Sequence, residues 1–276
     1  MGRPFSVLGV DFTSAPRPRK PVTVARGRLS AGALVVEAID ALPDWPSFEQ
    51  LLAAPGPWIG GFDFPFGLPR EAVRDLGWPL DWHGLVAHCA RMGRAAFRQA
   101  LDAYRASRPR GNKYPHRATD LPARSHSPVK LVNPPVALMF LEGTPRLAGA
   151  GVTIPGLAVG DPQRVAVEAY PGLAARAIVS ASYKSDEARK QTPQRREARL
   201  AIVRRLARGD GPFGFRLHVA PALARSLADD PTGDRLDAAL AAMQAAWCLR
   251  RRTRNYGLPD WIDPIEGWIA TTMGAP

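Results

Sequence analysis

Three short apolar runs in this chain end on a carboxylate: Ser6-Val7-Leu8-Gly9-Val10-Asp11, Trp58-Ile59-Gly60-Gly61-Phe62-Asp63 and Arg164-Val165-Ala166-Val167-Glu168. Runs of this length and composition read as buried strands. An acid at the tip of a buried strand costs stability, because a desolvated charge is unfavourable unless it is paired. Three such tips are accounted for if the strands lie together and their acids converge on a cation.

The order of elements supports that convergence. The N-terminal third reads β-β-β-α-β. A first strand ends near Asp11, and Val22 to Arg28 and Ala33 to Ala38 form two more, joined by a Ser30-Ala31-Gly32 turn. Ser47 is placed to cap a short helix over residues 48–54, and Trp58 to Asp63 is the fourth strand. A helical crossover makes the fourth strand parallel to the first and its neighbour. Asp11 and Asp63 then stand side by side at the carboxyl ends of adjacent strands, the edge where sites of open α/β sheets form.

Glu168 is expected at the same edge from a fifth strand, with pairing to an arginine as its ordinary alternative. Asp234 and Asp237 are three apart at the start of a last helix running to Leu249, so both project on one face. Asp234 alone also has the plain reading of a carboxylate at a helix start. In that helix Leu236, Leu240, Met243 and Trp247 form an apolar stripe, and its alanines allow close approach to the strands. The fold class expected is mixed α/β: a five-stranded sheet flanked by helices. One domain is expected over residues 1–276, with an insertion at about 70–160. Within the insertion a helix is expected from Leu85 to Ala106, its apolar face made by Val86, Cys89, Ala90, Phe97, Leu101 and Tyr104. Residues 107–160 read as a long irregular connection, and such connections are usually lids or binding loops.

Hard cations such as Mg²⁺ and Mn²⁺ take a few carboxylates and keep positions open for water and phosphate oxygens. The expected ligands are Asp11, Asp63, Asp234 and Asp237, with Asp11, Asp63, Glu168 and Asp237 as the catalytic set.

The blocks Gly9-Val10-Asp11-Phe12-Thr13, Gly61-Phe62-Asp63-Phe64-Pro65-Phe66-Gly67-Leu68-Pro69, Glu168-Ala169-Tyr170-Pro171 and Asp234-Arg235-Leu236-Asp237-Ala238-Ala239-Leu240 resemble the signature blocks of the predicted ribonuclease-H-like nucleases, the family called domain of unknown function 429. They fall in that family's order and span most of the chain. The resemblance implies a ribonuclease-H-like fold with a large insertion after the fourth strand. It also implies a metal-dependent nuclease site, with Asp11 as the superfamily's first aspartate, Asp63 as its fourth-strand acid and Asp237 or Asp234 as its last-helix acid.

The net charge of +12 bears on partners rather than on fold. Residues 86–130 hold ten Lys or Arg against Asp102 and Asp120. That surplus fits a polyanion such as nucleic acid, DNA or RNA, and its ordinary alternative is a solvated Arg-rich surface. Lys113, Arg117 and Lys130 are the expected phosphate-gripping residues, Arg117 foremost. His116 and His126 lie in the same stretch, and Trp78 and Trp82 flank it as packing residues or base platforms.

Other chemistries find no support. No GKS or GKT follows the glycine pairs at 149–151 and 209–211, and Ser125-His126 lacks a nucleophile elbow. Cys89 and Cys248 stand far apart, without metal-ligand spacing, and suit a reducing cytosol. No apolar run approaches the length of a membrane span, and the N-terminal one is short for a signal peptide. Met1-Gly2-Arg3-Pro4-Phe5-Ser6 matches the loose myristoylation pattern by chance, just ahead of the first strand. The expectation is therefore a cytoplasmic metal-dependent phosphodiester hydrolase acting on nucleic acid. The alternatives are a nucleic-acid-binding protein without useful catalysis, or a small-molecule hydrolase or transferase using the same carboxylates.

Overall fold

The apolar runs do become strands. The computed structural model describes residues 4–272, so Gly2 lies outside the described residues. Strands β1 (Ser6–Asp11), β2 (Val22–Ser30) and β3 (Ala33–Leu42) form an antiparallel meander. Helix α1 (Trp45–Ala53) then crosses over to β4 (Trp58–Asp63), which pairs parallel with β1. The α1 cap is Asp44, not Ser47: the Asp44 carboxylate accepts the Ser47 amide at 2.9 Å, and Trp45-Pro46 opens the first turn.

The fifth expected strand is β6 (Asp161–Glu168), parallel to β4. The sheet has seven strands rather than five, in the order β5-β6-β4-β1-β2-β3-β7. Its central five carry the expected plan, and the two additional strands extend the edges. Strand β5 (Val152–Thr153) has two residues, and β7 (Arg216–Val219) has a single buried side chain, Leu217. Strand β5 is too short to show a pattern, and β7 alternates over only four residues, Arg216-Leu217-His218-Val219, the minimum at which alternation marks a strand.

Alternation along each strand divides the sheet into two faces. Leu8, Val10, Trp58, Phe62 and Ala166 join one core, against α1, α2 (Arg70–Asp75), α3 (Trp82–Ser107) and α5 (Val136–Gly149). Val7, Ile59, Val165 and Val167 join the other, against α6 (Pro171–Arg176), α7 (Pro193–Arg208), α8 (Pro221–Asp229) and α9 (Asp234–Leu249).

The insertion is therefore part of the first core and not a loose lid. Its connection includes α5, where an irregular segment is expected from the prolines and glycines. Pro145 and Gly143 mask a helix whose Ala137, Leu138, Phe140, Leu141 and Leu147 are all buried. The short helix α4 (Asp120–Ala123) precedes it. Along α3 the expected face is buried except Ala90, which is exposed, because Gly93 (φ 69°) kinks the helix and resets its phase. Trp78 and Trp82 are packed inside, and Trp82 Nε1 donates to the Phe66 carbonyl at 2.7 Å.

Helix α9 approaches the sheet at backbone distance. A Cβ on Gly9 would lie 2.1 Å from the Ala238 carbonyl, and one on Gly61 would lie 2.4 Å from the Ala241 carbonyl. Two glycines on β1 and β4 thus meet an alanine-rich helix face. No helix among the described residues is long and apolar enough to cross a membrane.

Candidate metal centre

Asp11 and Asp63 are direct partners in the β1–β4 ladder, so their side chains leave the same face of the sheet. That face is the one on which Gly9 and Gly61 admit α9, and α9 brings in Asp237 from its first turn. Asp11, Asp63 and Asp237 each offer a carboxylate oxygen, and the three oxygens lie within 4.8 Å of one another. Asp11 and Asp63 line a cleft of about 990 Å³ at the carboxyl edge of the sheet, and Asp237 lies fully buried behind that lining. The expected convergence of these three residues is realised.

Their electrostatics are those of a site short of positive charge. Burial, then Asp234 and Asp237, push the Asp11 carboxyl well above the usual range against the pull of Lys184. Burial lifts Asp63 to about 7, opposed by Lys184 and helped by Asp237 and Glu168. Asp237 is raised by burial in spite of Lys184 and Tyr183. Desolvated carboxylates that raise one another's pKa in this way favour a hard cation among them.

Glu168 does not join them. It pairs with Phe62 in the β4–β6 ladder, one position short of Asp63, and a one-residue offset turns it to the opposite face. There Arg117 grips it with two bonds, Nη2 to Oε1 at 2.6 Å and Nη1 to Oε2 at 2.8 Å, and the Phe66 amide donates to Oε2 at 2.9 Å. The arginine-paired alternative is the one the geometry supports.

Arg117 is corrected by the same finding. It is 2% exposed, and its remaining donors go to Asp120 and to the Glu266 carbonyl. No N–H is left for a phosphate. Burial alone would lower its pKa, but Asp120 and Glu168 outweigh it and hold the guanidinium firmly charged.

Asp234 is also spoken for. Lys20 Nζ bonds both of its oxygens, at 3.0 and 3.1 Å, and reaches Asp186 as well. Lys113 is exposed and does not line the cleft. Lys130 lies behind His126, with Nζ 3.4 Å from Nδ1, and only His126 of the two borders the cleft. Burial and the neighbouring Lys130 lower the His126 pKa. His116 is exposed.

Sequence reasoning missed two residues that touch the centre. Tyr183 donates its hydroxyl to Asp237 Oδ1 at 2.7 Å, and Lys184 Nζ contacts Asp237 Oδ2. Burial would lower the Lys184 pKa, but Asp237, Tyr183, Asp11 and Asp63 outweigh it and the ammonium persists. Both residues come from the irregular segment between α6 and α7. Ser180-Ala181-Ser182-Tyr183-Lys184-Ser185 has no motif, and only contact with Asp237 reveals it. Lys20, from the Pro/Arg-rich connection after β1, was equally hidden.

No curated protein and no solved structure matches the chain. A family model does match, over residues 9–259, a span that contains every carboxylate discussed above. The chain therefore belongs to the family described as Protein of unknown function (DUF429).

Proposed function

We propose that the protein is a metal-dependent phosphodiester hydrolase acting on nucleic acid. The observation that carries this reading is the meeting of Asp11, Asp63 and the buried Asp237 on one sheet face, with Asp11 and Asp63 open to a cleft. An all-oxygen donor set of buried carboxylates suits Mg²⁺ or Mn²⁺. Such an ion, once bound, supplies a water of lowered pKa and neutralises charge on a phosphate oxygen.

The chain's own residues do the rest. Tyr183 fixes the rotamer of Asp237 from one side, and the parallel ladder fixes Asp11 against Asp63. Lys20, Lys184 and Arg176 border the cleft and give it a cationic wall for a phosphodiester backbone, and His126 borders it as a neutral imidazole. Arg176 lies 5.1 Å from the Tyr170 ring, leaving an aromatic and cationic surface at the cleft edge.

A small acidic substrate is the second reading. Several cations of the basic stretch are engaged within the fold: Arg94 with Glu142, Arg105 with Asp102, Arg108 with Glu71 and Asp75, and Arg117 with Glu168. Fewer remain for a long polyanion than the sequence suggests. The salt dependence of substrate affinity separates the two readings, being steep only where several phosphates are contacted.

The direct test is cleavage of labelled DNA and RNA, single-stranded, duplex and branched, in Mg²⁺ or Mn²⁺, with Asp63→Asn prepared identically. Metal-dependent cutting by the wild type and none by the variant supports the reading. Equal behaviour of the two across the panel refutes it.

A further inference from the structure

Lys184 reaches the acid cluster from a segment that the fold takes trouble to hold in place. Arg199 is 3% exposed, and its Nη1 donates to the Tyr183 carbonyl at 2.6 Å. Arg195 Nη1 donates to the Lys184 carbonyl at 2.7 Å. The lysine's stem lies against Gly233, where an added Cβ would come within 2.8 Å of Lys184 Cβ. Clamped from behind and seated on a glycine, the ammonium is directed at Asp237 Oδ2.

The charges around the cleft floor then have a definite balance. Asp186, the other partner of Lys20, is 81% exposed and solvated, so the balance is between the four negative charges of Asp11, Asp63, Asp234 and Asp237 and the two positive ones of Lys20 and Lys184. One divalent ion closes the deficit, and a second would overshoot it. The donors also run short for a second ion. A two-ion clamp needs acids for ions about 3.5–4 Å apart. Here Glu168 is turned to the other face and held by Arg117, while Asp234 is held by Lys20.

We propose that Lys184 stands in the place of a second ion, so that the centre takes one divalent ion per chain and the lysine supplies the remaining positive charge. This rests on the reading of the cluster as a metal centre, and it specifies how that centre is charged.

The test is a Mn²⁺ titration of the full chain, followed by calorimetry and by electron paramagnetic resonance of free and bound Mn²⁺. The expected wild-type result is one ion per chain. Lys184→Met is expected to admit a second ion, and to bind its first about tenfold more tightly once the competing charge is gone. Lys184→Arg keeps the charge and is expected to keep one ion. Two ions of similar affinity in the wild type overturn the inference and leave the metal-centre reading standing. One ion at unchanged affinity in a folded Lys184→Met also overturns it. No bound ion in the wild type overturns the inference together with the reading beneath it.

Discussion

A Cβ placed on Gly9 would lie 2.2 Å from the amide nitrogen of Ala242, so strand β1 and helix α9 meet with no side chain between them at that point. This contact sets the depth of α9 against the sheet, and Asp237 is carried on the same helix. Gly9→Ala is expected to force the helix outward, at a cost of about 3 kcal/mol, typical of overpacking that only backbone movement can relieve. Urea denaturation measures this, and Mn²⁺ affinity should fall with it as Asp237 withdraws from Asp11. Gly149, exposed at the end of α5 with open space around it, is the contrast: Gly149→Ala should leave the midpoint unchanged or raise it slightly.

The Arg117 fork is structural, and removing one member leaves buried charge uncompensated. Arg117→Met should cost about 3–5 kcal/mol, since Glu168 and Asp120 are then stranded in the interior. Glu168→Gln should destabilise the protein yet leave its Mn²⁺ affinity near that of the wild type. Loss of ion binding in a folded Glu168→Gln would return this residue to the ligand set.

How much of this was legible follows from what each signal depends on. Asp11 and Asp63 were readable because two apolar runs of equal length ended on the same residue type, and strand pairing preserves such equivalence. Asp237 was readable only together with Asp234, because their spacing on an alanine-rich helix puts both on one face and does not choose between them. Glu168 was misplaced because sequence shows a strand's end but not its register, and one residue of offset decides the face. Arg117 was misread because an arginine in a Pro-rich segment carries no sign of burial. Helix α5 was hidden by Pro145, whose missing N–H the packed core tolerates at this position. Tyr183 and Lys184 could not be found at all, since their role exists only through contact with an acid more than fifty residues away.

The protonation of Asp63 predicts an unusual stability profile. Its folded pKa of about 7 lies above the ordinary carboxylate value, so the folded state binds more protons than the unfolded one between roughly pH 4 and 7. Stability of the metal-free protein should therefore fall as pH rises through that window, by on the order of 4 kcal/mol from this group. Asp63→Asn removes this group's share of the slope, with those of Asp11 and Asp237 remaining, and should be more stable than the wild type at pH 8. Divalent ions bind the deprotonated form, so Mn²⁺ should raise the wild-type Tm more at pH 8 than at pH 5. Thermal melts at the two pH values, with and without Mn²⁺, check each part. A wild-type midpoint that rises with pH across the window, with no added ion, would contradict it.

Asp234 and Asp237 share one helix turn yet should behave oppositely. Asp237 is fully buried, meets Tyr183 through Oδ1 and Lys184 through Oδ2, and is set apart from Asp234 by having an oxygen within 4.8 Å of those of Asp11 and Asp63. Asp234 is 14% exposed and spends both oxygens on Lys20. Asp237→Asn removes a member of the converging set and should weaken Mn²⁺ binding by at least about a hundredfold, beyond the 10–100-fold usual for outer partners of a metal site. Asp234→Asn should keep the ion count and weaken affinity by less than about tenfold, through the lost long-range charge alone. Its larger effect should fall on the connection after β1, because Lys20 then loses its nearest buried partner. Faster amide exchange across residues 14–21 in Asp234→Asn, with the ion still bound, is the expected signature. Equal loss of Mn²⁺ in the two variants would make Asp234 a ligand and Lys20 a group that the ion displaces.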